Sequence, residues 1–304
     1  MKKYLFWIII ITFIILLIIC IYLSNFSVLP INGGKSVITE EMLNELKNNE
    51  TNQNYKLAAV IVEPRENNII ETINHYLKSL PEYTHFQVYH GIDNEELIRK
   101  NFDKLIKDNK ISLFNLKVKN LNLTSYSHLL TSIEFWKTIK SNNVLIFQTD
   151  SITCSSSNKN IEDLYEYDFI GAPTTDLVNK FLYIYFILNG INLEYKNYMN
   201  GGLSFRKKVK CIECLEKFPW NGRSTEDVWF VSSLYRMDTS VNLPTMEIAK
   251  KYFYESGNID RTPWGVHKPR TSKEILNNLY DICEEAKTIP VVEPHTDYSN
   301  LFIF

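Results

Sequence analysis

The hydrophobic pattern of this chain changes character twice. Residues 4–23 (YLFWIIIITFIILLIICIYL) run without a charge, and Thr12 is the one ordinary polar side chain among them. At about 1.5 Å per residue such a helix covers a hydrocarbon core of roughly 30 Å, and no small-residue cleavage site follows, so the run predicts an anchor in the lipid bilayer. Lys2 and Lys3 precede it and no charge follows until Lys35. The positive-inside rule therefore puts residues 1–3 in the cytoplasm and the bulk of the chain in a lumen or outside the cell, the topology of a single-pass type II membrane protein. Residues 24–54 hold a proline, a Gly-Gly pair, one short amphipathic stretch and a polar tract, the pattern of a stem. From residue 55 to 304 the pattern is that of a globular domain.

Within that domain LAAVIV (57–62) is a short apolar run, followed by the charged turn Glu63-Pro64-Arg65 and a helical pattern through Ile69, Ile73, Tyr76, Leu77 and Leu80. The alternation repeats: HFQVYH (85–90) precedes NEELIRKNFDKL, and ISLFNLKV (111–118) precedes a helix predicted over 125–140 with Tyr126, Leu129, Leu130, Ile133, Trp136 and Ile139 on one face. VLIFQ (144–148) is a further buried strand. Strands alternating with helices predict an α/β domain, with helices flanking a mostly parallel central sheet whose ligands bind beyond the carboxyl ends of its strands. The second half is less regular. YDFIGAP (167–173) predicts a strand ending in a turn, NGGLSF (200–205) a hairpin-like element, and 225–237 a helix capped by Ser224 or Thr225.

Composition excludes several classes. Lys+Arg 33 against Asp+Glu 35 give a net charge of -2, with no field to gather nucleic acid. A hydrophobic share of 45% with only 10 Gly and 10 Pro excludes collagen-like or disordered character. Five Cys are too few for a disulfide-built scaffold, so the fold is expected to rest on its core. Asn25, Asn49 and Asn122 each open a glycosylation sequon, which fits a secretory topology.

Five short blocks carry candidate chemistry. Asp150, in Gln148-Thr149-Asp150-Ser151, follows the strand VLIF, where its carboxylate either holds a hard cation or caps the following turn. Gly201 and Gly202, after Asn200, let the backbone approach a ligand closely or make a tight turn. Arg206, with Lys207, Lys208 and Lys210, meets a phosphate or belongs to a solvated basic face. Glu226 and Asp227 open a helix, where acids favour the dipole and one of them can act as a general base. In Pro263-Trp264-Gly265-Val266-His267-Lys268-Pro269, Trp264 can stack on a ligand ring or pack, and His267 can ligate a metal or donate to a phosphate. Cys211 and Cys214 lie inside a predicted helix with no second pair, and read as structural.

Taken in order, LIFQTDS (145–151), YDFIGAP (167–173), NGGLSFR (200–206), EDVWF (226–230) and PWGVHKP (263–269) resemble a family of glycosyltransferase-like domains of unknown function, itself similar to GT-A glycosyltransferases. The resemblance implies a GT-A-like, Rossmann-like domain that binds a nucleotide-sugar donor and a glycan or glycoprotein acceptor, with a divalent cation, Mn²⁺ or Mg²⁺, across the diphosphate. Asp150 resembles the last carboxylate of the Asp-X-Asp motif, with Gln148 in place of the first Asp. His267 resembles the late histidine that completes the metal site. Glu226-Asp227 resembles the acidic pair of inverting enzymes, with Asp227 the expected base. Asn200, Gly201 and Gly202 resemble the segment lining the cleft, and Glu63 and Arg65 stand in the region that receives the nucleotide. Anchor and stem are similar to those of Golgi glycosyltransferases. The alternative from another class is a catalytically silent, membrane-tethered carbohydrate-binding module.

Overall fold

The computed structural model describes residues 40–173, 198–220, 222, 224–237 and 241–292; the apolar run at 4–23, the Asn25 sequon and the last twelve residues lie outside them. No helix among the described residues is long and apolar enough to cross a membrane.

The anticipated apolar runs form β1 (Leu57–Glu63), β2 (Thr84–His90), β3 (Ile111–Asn115) and β4 (Asn143–Phe147). β1 and β2 are buried along their whole length, as strands covered on both faces must be. The cover includes α2 (Ile69–Ser79), burying Ile69, Ile73 and Tyr76, and α3 (Glu95–Lys107), burying Ile98 and Phe102. With β6 (Phe169–Pro173) and β7 (Met199–Lys207) they make a six-stranded sheet in the order β3-β2-β1-β4-β7-β6. The β1, β2, β3 and β4 pairings are parallel, and β7 is antiparallel to both its neighbours. This is the mixed α/β, mostly parallel architecture expected. A second sheet, β5-β9-β8, combines β5 (Ser151–Thr153), β8 (Phe253–Ser256) and β9 (Gly265–Arg270) just beyond the end of β4.

Three local expectations are corrected. Part of the segment read as stem forms α1 (Glu40–Asn48), whose Met42 and Leu46 are buried in the main core. Two such side chains contribute roughly 1.5–3 kcal/mol each, so the folded domain begins by residue 40. The helix anticipated over 125–140 is two, α4 (Leu123–Leu130) and α5 (Ile133–Thr138). Thr131 Oγ1 donates to the Ser127 carbonyl, and Ser132 Oγ accepts from the Phe135 amide as the cap of α5; hydroxyls that compete for backbone groups outweigh a continuous apolar face. Asn122, a sequon residue, caps α4 by accepting from the Ser125 amide at 2.8 Å. Finally, the Asn-Gly-Gly segment is no turn but part of β7, and PWGVHKP contributes most of β9.

Helices α6 (Lys208–Lys217), α7 (Glu226–Arg236), α8 (Met246–Tyr252) and α9 (Lys273–Ile282) complete the second half. Cys211 and Cys214 are buried on α6 as free thiols, which fits their structural reading. A disulfide joins Cys154, just after β5, to Cys283 at the end of α9. One bridge is no disulfide-built scaffold, and pairing of residues 129 apart cannot be read from spacing.

Candidate functional site

The chain leaves β1 through a fixed turn. Glu63 accepts from the Arg65 amide at 2.9 Å and from its Nε and Nη2, both at 2.8 Å. Buried Asn94 ties the turn down: its Nδ2 donates to the Glu63 and Arg65 carbonyls, and its Oδ1 accepts from the Gly91 amide. Gly91 has no room for a side chain, since a Cβ there would lie 2.4 Å from the Pro64 carbonyl oxygen. Arg65 keeps about half of its side chain exposed. Its pKa is raised, first by the hydrogen bond to Glu63 and further by the charge of Asp150, which places the two blocks within electrostatic reach of each other.

Asp150 lies between β4 and β5, where β5 is clamped against α2. His75 Nε2 accepts from the Thr153 amide at 3.0 Å, and the Tyr76 and Ser151 hydroxyls hydrogen-bond at 2.8 Å. Ser151 pairs with His267 across β5 and β9, and the Lys268 amide donates to the Asp150 carbonyl at 2.8 Å. On the other side of β9 the register slips: Tyr254 pairs with Val266, but Ser256 pairs with Arg270. The surplus residues of β9 form a bulge in which Lys268 takes a left-handed φ of 36°. Bulges re-aim side chains beside functional sites, and this one adjoins His267, whose ring meets Gln148 just beyond the end of β4.

There His267 Nε2 lies 3.4 Å from Asp150 Oδ1 and 3.4 Å from Gln148 Oε1, while its Nδ1 lies 3.9 Å from Glu255 Oε2. Lys268 Nζ is 3.9 Å from Asp150 Oδ2. Burial opposes the charge on both partners, yet their attraction wins. His267 is pushed up to about 9, with Glu255 adding to the effect of Asp150. Asp150 is held down at about 2 by His267 and then Lys268. Gly202 closes the group: a Cβ on it would lie 2.2 Å from His267 Nε2 and 2.7 Å from Gln148 Oε1. Close approach of backbone to these side chains is what requires glycine here.

The adjacent Gly201 faces different neighbours, with a Cβ there 2.4 Å from Glu226 Oε1 and 2.8 Å from Asp227 Cβ. Asn200 is spent locally, its Oδ1 accepting from the Gly202 amide at 2.7 Å. Asp227 Oδ2 accepts from the Tyr198 hydroxyl at 2.5 Å and the Gly201 amide at 3.1 Å, and its Oδ1 from the Thr225 hydroxyl and the Val228 amide. Four donors hold this nearly buried carboxylate, the expected base, in place. Glu226 is buried and forms a two-pronged pair with Arg206, at 2.6 and 3.0 Å. Arg206, the first member of the expected basic face, is completely buried, also donating to Ser204 Oγ at 3.0 Å. Trp264 is buried edge-on to Phe253 rather than presented to a sugar.

Tyr198 links the two halves. Burial raises its pKa well above the usual phenol value, and the charges of Asp227, Glu255 and Glu226 add to the rise. Asp150, His267, Glu255, Asp227, Glu226 and Arg206 thus gather around Gly201-Gly202. Glu255, on β8, had no signal in the sequence; FYES carries no motif, and only the sheet pairing brings it to His267. Among the described residues no three His, Cys, Asp or Glu side chains form a ready metal cage. Asp150 and His267 nonetheless suit a cation that takes two protein ligands and completes its shell elsewhere, and Asp150 Oδ1 is a buried oxygen with no hydrogen-bond partner.

No curated protein matches the sequence. Among solved structures, the mannosyltransferase PcManGT from Pyrobaculum calidifontis, in complex with GDP-Man and Mn²⁺, is similar at 11% identity with a TM-score of 0.39. The similarity covers 64% of this chain, which spans 56% of that enzyme. A family profile matches residues 110–267, from the start of β3 to His267. The chain belongs to the family described as "Protein of unknown function (DUF5672)".

Proposed function

We propose that this protein transfers a sugar from a nucleoside diphosphate sugar to a hydroxyl of a glycan or glycoprotein. The observation that carries the reading is the meeting of Gln148, Asp150, Gly202 and His267, from three distant blocks, at the carboxyl end of the parallel strands. Open α/β sheets bind ligands at such an edge. Asp150 and His267 would hold Mn²⁺ or Mg²⁺, which when bound supplies positive charge against the diphosphate leaving group. Arg65, anchored on Glu63, presents a cation to the same anion. Asp227 fixes Tyr198 and the Gly201 amide, and so the shape of the floor. The Cys154–Cys283 disulfide supports placing the domain in an oxidising lumen or outside the cell, behind the anchor at 4–23.

One observation favours the second reading, a silent carbohydrate-binding module: Glu226 and Asp227 are both committed to donors of the chain itself. The test uses the full-length protein in detergent with a panel of nucleotide sugars, with and without Mn²⁺, following release of free nucleotide. Manganese-dependent release from one donor, lost in Asp150→Ala, is the expected result. Donor binding without release would establish the silent module, and neither binding nor release would refute both readings.

A further inference from the structure

Glu255 is a buried charge with one carboxylate oxygen unpartnered among the described residues. It is 4% exposed, and its nearest cations are His267 on one side and Arg270, whose Nε lies 3.3 Å from Oε1, on the other. Glu255 Oε2 and His267 Nδ1 are both buried without a hydrogen-bond partner among the described residues, and they face each other at 3.9 Å. A buried acceptor opposite a buried donor, each otherwise unmatched, is a pair that a small side-chain rotation closes, since a buried polar group left unpaired is costly. Asp150 lies at the other ring nitrogen. The two nitrogens of an imidazole point away from each other, so an ion held by Nε2 and Asp150 cannot also touch Glu255 through the ring. Glu255 therefore acts on the site through His267.

We propose that Glu255 is a positioning residue that accepts from Nδ1–H of His267 and so aims Nε2 at Asp150 and Gln148, with Arg270 beside Glu255 on its other side. The consequence for a bound cation rests on the sugar-transfer reading above; the orientation of the ring does not. Carboxylates behind a ligating histidine fix its ring, and their loss lowers metal affinity roughly 10–100-fold.

The test has two arms, both on the full-length protein in detergent. In the first, long-range ¹H–¹⁵N spectra follow the six histidine rings, with His267 assigned by its loss in His267→Ala. Glu255→Gln is expected to move the His267 nitrogen resonances while leaving His75 and His85 in place, and Arg270→Gln to move them less. Unchanged His267 resonances in Glu255→Gln, or equal shifts from Arg270→Gln, would overturn the proposal by making Glu255 merely the partner of Arg270. Should Glu255→Gln fail to fold, Glu255→Ala serves in its place, with the same decision. In the second arm Mn²⁺ alone is titrated. Glu255→Gln is expected to bind it roughly 10–100-fold more weakly than the wild type, with Glu255→Asp recovering most of the loss. Full affinity in Glu255→Gln contradicts the proposal. If the wild type takes up no Mn²⁺, the metal part of the sugar-transfer reading fails, and the nitrogen resonances still decide the role of Glu255.

Discussion

Two buried clusters of charge flank the glycine pair of β7, and they are built in opposite ways. Around Gly201, Arg206 and Glu226 exchange two short hydrogen bonds, and Asp227 is filled by four donors. Around Gly202, Asp150, His267 and Glu255 stand 3.4 to 3.9 Å apart, with Asp150 Oδ1, His267 Nδ1 and Glu255 Oε2 left without hydrogen-bond partners among the described residues. A closed network spends its polar capacity on holding the chain; an open one keeps capacity for a ligand. On the proposed function the first cluster serves the fold and the second the ligand, although the two lie side by side.

The sharpest way to break this division is to remove Arg206. Arg206→Met leaves the Glu226 charge buried and unpaired, and should cost about 3–5 kcal/mol in urea unfolding; a loss below about 1 kcal/mol would deny the first cluster its structural role. Reducing the Cys154–Cys283 disulfide should come next, at about 2–4 kcal/mol, read as a lower melting temperature. An unchanged melt would mean that the bridge does not hold β5 to α9. Gly202→Ala should cost about 1–3 kcal/mol, because its methyl must displace His267 or Gln148. The second cluster would then be distorted, and donor binding should fall with stability; a fully stable variant with normal binding would show that the close approach is dispensable.

A further effect is read through pH. His267 is raised from 6.5 to about 9, so its contribution to stability is fully present below pH 6.5 and is lost as pH rises through about 9. Asp150, lowered from 3.8 to about 2, contributes above pH 3.8 and loses this as pH falls through about 2. Both shifts describe one ion pair. The stability gap between the wild type and His267→Gln should therefore narrow between pH 6.5 and 9.5, and a gap that stays constant would remove the charged imidazole from the account.

The two clusters also differed in how far the sequence revealed them. Strands β1 to β4 were legible because parallel strands buried on both faces read as short apolar runs, and Asp150 was legible because it follows one of them. The Gly201-Gly202 pair lies close to side chains of the chain itself, and its Asn-Gly step suggests a turn where the chain continues as β7. Arg206 was obscured by Lys207, Lys208 and Lys210, which imitate a solvated face, since a buried ion pair joins residues 20 apart with no periodicity to mark it. Glu255 was invisible for a related reason. Its meaning depends on a register slip between β8 and β9 that no residue of FYES announces.

The central claim, that one cluster holds the fold and the other the ligand, is tested most directly by melting and donor turnover measured together on the full-length protein and on Asp150→Ala. The account predicts complete loss of manganese-dependent nucleotide release with a smaller loss of stability than in Arg206→Met. An Asp150→Ala protein that turns over donor normally, or one that unfolds as readily as Arg206→Met, would contradict it.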